Sequence, residues 1–530
     1  MAGSTANLWG IRIEPGLVDG RPCRQFVRRP RAISDLLLDA RRWSSRTCLV
    51  QGERRMSGHE LERAVVRMVA ALAPYRLAPG DRVLLQGFNR IDWVVCFWAL
   101  HCLGVTVALG NAWWSGQETG DAIRLLSPRL VLAEREAPWS SASPAPSDVS
   151  WLTFEQAGHL AARENEPLLR IPPVDENAAA VIIFSSGTTG EPKGAVLSHR
   201  AVIANIQSLL QMTGRLPSQL PDSHPGTVNL VTMPLFHQGG MQITLMTLLT
   251  GGTVVFLKGK FDPLEVLQVM QSEKVRAWGS VPTMVSRVLQ HPEFASHDTS
   301  SVASIQMGGA PVPHELREQV ARSFPNSRRR VGTMYGLTET GVVATGTGAD
   351  VADRPGCVGR PLPMAEIVIA NPDSHGVGEI RVRTASAMTG YLGDPAPLAD
   401  ADGWISSGDL GRFDDEGRLY VVGRSKDMII RGGENVASAH VERCIRTHPD
   451  VLEVAVVPLP HADLGEEVAA AVVLKPGASP SVSDLKDHLA DRLARFEVPS
   501  RWWFREEPLP VNATGKVVKI EVLAHWPANA

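Results

Sequence analysis

Lysine is scarce in this chain, with nine against 44 arginines among 530 residues. Cysteine is scarcer still. The six present (Cys23, Cys48, Cys96, Cys102, Cys357, Cys444) make no CxxC pair and no cluster with histidine. That argues against a disulfide framework or a zinc site and for a reducing, cytoplasmic setting. Charge of one sign is also lacking: the formal net charge is −3, so no global positive field draws the chain to nucleic acid or anionic lipid. The start, MAGSTANLWGIRIEPG, has no basic stretch leading into an apolar core, and the end, PANA, is no recognised address. No uninterrupted apolar run predicts a membrane span. The best candidate, Trp93 to Gly110, carries His101 and a break at Gly104, and reads as a buried helix followed by a buried strand.

What is present is a large apolar fraction, 44%, in a chain long enough for about two to four domains. Short β-rich runs at 129–134, 179–184, 227–235 and 252–257 alternate with helical stretches, which predicts an α/β fold with parallel, doubly wound sheets. From about residue 360 the texture changes to hairpin-like strands, AEIVIAN, GEIRVRT and RLYVVGR. The last part reads strand, strand, helix, with Leu485, Leu489 and Leu493 on one helical face.

One stretch raises a chemical question, IIFSSGTTGEPKGAVLSH from Ile182 to His199. Its glycines allow consecutive backbone N–H groups to face an anion, and its hydroxyls add donors. It is not a nucleoside-triphosphate P-loop, because Pro192 precedes Lys193 and no Ser or Thr follows it. Lys193 is also the first lysine in a chain that elsewhere writes its cations as arginine. A compact ammonium on a flexible stem suits a migrating phosphate charge better than a fixed fork. The same choice recurs at Lys426 in GRSKDMIIRGGEN and Lys516 in LPVNATGK.

These motifs together resemble the adenylate-forming superfamily of acyl-CoA synthetases, peptide-synthetase adenylation domains and beetle luciferases, over nearly the whole chain and in the expected order. SSGTTGEPKG resembles the family's phosphate loop, MPLFHQGG (233–240) its aromatic-His motif, and MGGAP (307–311) and MYGLTETG (334–341) its adenine and magnesium motifs. SGDLGRFDDEGRLYVVGRSKDMIIRGGEN (407–435) resembles its ribose site and hinge. The resemblance implies a large N-terminal domain, 1–425, of doubly wound sheets with a small β-barrel-like subdomain from about 360. It also implies a small mobile α+β C-terminal domain, 426–530.

The implied activity is an acyl-CoA ligase. ATP, with Mg2+, activates a hydrophobic carboxylic acid, fatty or bulky and cyclic, to acyl-AMP, and coenzyme A then takes the acyl group; a homodimer is compatible with this. Ser185, Ser186, Gly187, Thr188, Thr189, Gly190 and Lys193 would hold phosphates. Gly309, Ala310, Pro311, Tyr335 and Gly336 would surround adenine, and Asp409 with Arg424 the ribose, since a carboxylate accepts both sugar hydroxyls. Glu339, with Ser185, would bind Mg2+, and Thr338 the α-phosphate. Lys516 would offset the charge of two anions brought together, and Lys426 would be the hinge. Gly432 and Gly433 would line the CoA passage, although RGGEN alone also reads as a hairpin turn. His237, Gly240, Met241, Gly308 and Gly309 would line the acyl pocket.

The chain departs from the family at Phe184 and Ser185, at Val436 to His440 where only Glu442 is retained, and at Val511. These lie at the CoA face and the lysine loop. The alternative they raise is specialisation for one half-reaction, either thioesterification of a supplied acyl-AMP or acyl transfer to a carrier protein.

Overall fold

The computed structural model describes residues 8–136, 149–186, 192–310, 312–431, 434–512 and 515–527. The helix Ile91–Cys102 shows why the longest apolar stretch folds inward. It is apolar on every side, and its Trp93, Phe97 and Trp98 are 2% exposed or less. Trp93 stacks on Phe97 at 5.3 Å between ring centroids. Twelve residues rise only about 18 Å, well short of a bilayer core. Among the described residues no helix is long and apolar enough to cross a membrane. Thr106–Gly110 follows as a fully buried strand, as the sequence predicts.

Among the described residues the first large sheet has seven strands, in the order Gly390–Tyr391, Pro192–Ser198, Ala179–Ser186, Thr106–Gly110, Arg82–Gln86, Leu130–Ala133 and Ser150–Thr153. The strands from Ala179–Ser186 to Ser150–Thr153 run parallel, and Pro192–Ser198 returns antiparallel. The second sheet has a parallel centre, Thr47–Gln51, Thr253–Phe256, Val228–Val231, Ala277–Ser280, Ser304–Met307 and Val331–Leu337. These strands are short, rich in Val, Ile and Leu, and covered by helices, as parallel pairing demands.

Two expectations change. The run 227–235 is a strand only over Val228–Val231; Pro234 cannot donate to a ladder and the chain turns there. Among the described residues the strands after residue 360 are not set apart as a sheet of their own. They continue the second sheet, because Cys357–Pro361 pairs with both Gly341–Thr347 and Leu419–Arg424 and so carries the ladder across.

The C-terminal strands form their own sheet, Glu434–Ala437, Met428–Arg431, Gly465–Leu474 and Val451–His461, with Arg501–Arg505 parallel to Gly465–Leu474. Alternation decides which face each residue serves. Val454 and Val456 face a core with Leu485, Leu489 and Leu493, while Ala455 and Val457 face one with Val522. The helix carrying the leucines ends at Leu489, so Leu493 reaches that core from beyond it. Met428–Arg431 and Glu434–Ala437 pair as a hairpin, the simpler reading of RGGEN.

Candidate active site

Parallel strands deliver their carboxyl ends to one edge of a sheet, and the loops leaving that edge are where ligands bind in open α/β folds. Here Ser280 leads to Val281–Thr283, Met307 to Gly308–Gly309, Leu337 to Thr338–Glu339, and Val231 to His237. Asn89, at the end of the first sheet's Arg82–Gln86 strand, pins the last of these loops. Its Nδ2 donates to the carbonyls of Val231 and Met233 at 3.1 and 2.9 Å, and its Oδ1 accepts from the Leu235 N–H at 2.8 Å.

Asp409 is the most constrained of the predicted residues, with 4% of its surface exposed. It sits in the Ile405–Phe413 strand opposite Arg424, whose Nε lies 3.2 Å from Oδ1. The Tyr335 hydroxyl donates to Oδ2 at 2.7 Å, and the Asp409 N–H donates to Ser407 Oγ at 3.0 Å. Burial first, then the Asp409 charge, raises the Tyr335 pKa, so the phenol remains a donor at neutral pH. Tyr335 thus meets Asp409 edge-on, which the sequence reading of a ring for adenine did not foresee.

Lys516 belongs to the C-terminal unit and lies near enough to Arg424, Asp427 and Asp409 for their charges to act on it. Its loop is a tight turn: the Gly515 N–H donates to Asn512 O at 2.8 Å, the Lys516 N–H to Asn512 Oδ1 at 3.0 Å, and the Asn512 N–H to Lys516 O at 2.8 Å. Val511 bridges to Val517 across the base of the turn. Burial lowers the Lys516 pKa, with Arg424 adding to the effect and Asp427 and Asp409 opposing it. The lysine therefore lies in the electrostatic field of the Asp409–Arg424 pair. Behind the loop, Lys519 Nζ holds Ser438 Oγ and Glu442 Oε1, each at 2.8 Å. Glu442 Oε1 also accepts the Val456 N–H at 2.9 Å.

Glycine at 515 has a steric reason. It has φ +74°, and a Cβ there would lie 2.4 Å from Thr283 Oγ1. Val281, beside Thr283, is sandwiched: one methyl is 3.6 Å from where a Gly309 Cβ would stand and the other 3.7 Å from a Gly515 Cβ. The lysine loop is thus seated on the segment that also borders the MGGAP turn. The sequence reading did not identify this seat; the Gly-Lys pair was the available signal.

Glu339 is half-buried in the turn between Val331–Leu337 and Gly341–Thr347, and Tyr391 donates to its Oε1 at 2.5 Å. Thr338 beside it is half-buried. Gly336 lies where a Cβ would stand 2.1 Å from Gly341 O, so it is required by the close approach of the two strands. Among the described residues no three His, Cys, Asp or Glu side chains group as a metal cage. A single carboxylate fits an ion that keeps water and phosphate oxygens and takes few protein ligands, the habit of Mg2+.

His237 is the N-cap of the helix Gln238–Leu249, and its Nε2 is buried with no hydrogen-bond partner among the described residues. Burial pushes its pKa down to about 4, so the imidazole is neutral at physiological pH. Its neighbours in the motif correct the sequence reading. A Cβ on Gly240 would lie 2.2 Å from Pro234 O, and Met241, 1% exposed, belongs to the main core with Leu235 and Phe236. Both residues pack the helix onto its own loop instead of lining open space. Gly308 and Gly309 have no neighbour closer than 3.4 Å to an added Cβ, which leaves room beside them. Ala310 is half-buried next to them.

Lys193 is exposed at the start of the strand that pairs with Ala179–Ser186. Gly187, Thr188, Thr189, Gly190, Pro311, Gly432 and Gly433 lie outside the described residues, as do the side chains of Ser185, Ser186 and Lys426.

Comparison with known proteins extends this arrangement over the chain. A family profile described as AMP-binding enzyme matches residues 38–392, and one described as AMP-binding enzyme C-terminal domain matches 440–516. A feruloyl-CoA synthase of Amycolatopsis sp is 33% identical over 488 residues, covering 90% of this chain and 95% of the relative. An indoleacetate–CoA ligase of Aromatoleum aromaticum is 32% identical, covering 89% and 93%. The crystal structure of ATP-bound MatB from Rhodopseudomonas palustris superposes with a TM-score of 0.82 at 27% identity, covering 93% of this chain and 99% of that one.

Proposed function

This chain belongs to the AMP-binding enzyme family of adenylate-forming proteins, and from that premise we propose that it activates an aromatic or otherwise hydrophobic carboxylic acid at the Asp409–Lys516 cluster. It is an AMP-forming acid–CoA ligase that uses ATP, Mg2+ and coenzyme A. Its relatives are named as CoA synthases and CoA ligases, which favours the full reaction over confinement to one half of it.

A carboxylate is a poor electrophile, so the acid is first joined to AMP. One carboxylate oxygen attacks the α-phosphorus of ATP, pyrophosphate leaves with the electron pair of the broken P–O bond, and the acyl-AMP anhydride remains. The CoA thiol then gives up its proton, its sulfur bonds to the acyl carbon, and AMP departs. Asp409 accepts the ribose hydroxyls and is itself held by Tyr335 and Arg424. Lys516 stands between the carboxylate and the α-phosphate and offsets the charge of two anions approaching each other, an effect worth about 3–4 kcal/mol. Lys193 follows the leaving pyrophosphate, and Thr338 donates to the α-phosphate. Mg2+, held through Glu339, supplies charge neutralisation of the phosphate oxygens when bound. Neutral His237 orients the acid, and the Ser425–Asp427 turn, with Lys426 at its centre, is the hinge on which the unit 426–530 exchanges the two steps.

The observation that carries this reading is the Lys516 loop, seated through Gly515 against Val281 and Thr283, the segment that also borders Gly309. Small residues at 308 and 309 and a neutral imidazole support an uncharged, hydrophobic acyl group. The test is acid-dependent pyrophosphate exchange over a panel of aryl, arylalkanoic and fatty acids, with thioester detected by mass spectrometry. Exchange without any thioester across the whole panel would overturn the CoA-ligase reading.

A further inference from the structure

Glu339 does not stand alone. The Tyr391 hydroxyl donates to its Oε1, and the Tyr391 ring lies under Lys193, whose Nζ is 5.6 Å from the ring centroid. The backbone fixes this meeting. Gly390–Tyr391 pairs with Pro192–Ser198 in the register Ala195 to Tyr391, the Leu392 N–H donates to Gly194 O at 2.7 Å, and the Met388 N–H donates to Glu339 O at 2.9 Å. One short segment therefore ties the lysine strand to the carboxylate turn.

Resting on the reading of Glu339 as the magnesium carboxylate and Lys193 as the phosphate lysine, we infer that Tyr391 is a positioning residue that sets the affinity for magnesium–ATP. Its hydroxyl engages one oxygen of Glu339 and orients the other, and its ring seats the Lys193 ammonium. A phenol is a hydrogen-bond donor across the neutral range. A hydrogen bond that orients a metal-binding carboxylate typically changes metal affinity 10- to 100-fold. The ring contact acts separately, through the cation and the aromatic face. Tyr391 is one of only four tyrosines in the chain.

The experiment measures ATP binding by equilibrium dialysis with no acid or CoA present, in Mg2+ and in EDTA, for the parent, Tyr391→Phe, Tyr391→Leu, Glu339→Gln and the Glu339→Gln/Tyr391→Phe pair. Tyr391→Phe loses about tenfold of the tightening that Mg2+ gives and leaves the EDTA value unchanged. Tyr391→Leu also weakens binding in EDTA, because Lys193 loses its seat. In the Glu339→Gln background, Tyr391→Phe adds nothing, whereas a merely structural role would keep its full effect there. An unchanged Mg2+ effect in Tyr391→Phe, or an equal loss in Mg2+ and EDTA, overturns the proposal. Absence of ATP binding in the parent would instead sink the functional reading on which it rests.

Discussion

Gly515→Ala tests the seat of the lysine loop most directly. The new methyl would stand 2.4 Å from Thr283 Oγ1, roughly 1 Å inside ordinary contact, on a backbone with φ +74°. The left-handed backbone costs an alanine about 1–2 kcal/mol, or about 5- to 30-fold in occupancy of the seated loop. Relief of the clash needs a retreat of about 1 Å, and a displacement of that size at a reacting centre costs about 100-fold. Acid-dependent pyrophosphate exchange should therefore fall by at least about 100-fold. Thioester formation from supplied acyl-AMP, which does not need Lys516 in place, should be nearly unchanged. Thr283→Ala removes the clashing oxygen but not the backbone cost, so the double variant should recover to within about 5- to 30-fold of the parent. Exchange at the parent's rate in Gly515→Ala, or equal losses in both half-reactions with no recovery in the double variant, would refute the reasoning.

Lys516→Ala should suppress acyl-AMP formation far more than thioester formation from supplied acyl-AMP, measured by the same two assays; equal losses would remove its assigned role. Asp409→Asn keeps the size of the side chain and loses its charge, so ATP binding measured by calorimetry should weaken by about 1.5–3 kcal/mol, or about 10- to 150-fold. Unchanged ATP affinity would move the ribose elsewhere. His199 is 2% exposed, and its Nδ1 accepts the Ile33 N–H at 3.1 Å. Burial lowers its pKa from 6.5 to about 4, so the unfolded chain takes up the proton first. That contribution to stability is present above pH 6.5 and is lost as the pH falls toward 4, by at most about 3 kcal/mol. Melting temperature against pH should flatten in His199→Gln, whose carbonyl can still accept the bond, and identical slopes would count against it.

Much of the scaffold was legible because its signals are local. The run Trp93 to Gly110 could be read as helix then strand from one break at Gly104, which has φ +75° in the structure. The sheets followed from the spacing of short apolar runs. What stayed hidden depends on residues far apart in sequence that meet only in the fold. Cys357–Pro361 joins two ladders into one sheet, and no local pattern announces a strand with partners on both sides. Gly240 and Met241 were read as pocket from composition, but a glycine gives room and close approach the same letter. Only the 2.2 Å distance to Pro234 O separates the two.

The site divides in the same way, and the division has a mechanistic meaning. Asp409, Tyr335 and Arg424 lie on three strands of one continuous sheet and hold one another whether or not the C-terminal unit is near. Lys516 depends on contacts of another kind: a turn closed on Asn512, a tie from Lys519 to Glu442 inside its own unit, and a glycine seated on Thr283 across the boundary. On the proposed reading, nucleotide recognition is built into that sheet, and the cation for adenylation comes on a seat that a single methyl would block. An enzyme that runs two reactions in one place gains from that arrangement, since withdrawing one loop removes the adenylation charge and leaves the ribose site intact for the second step. Glu442 fits this logic, because it ties Lys519, just after the lysine loop, to its own unit.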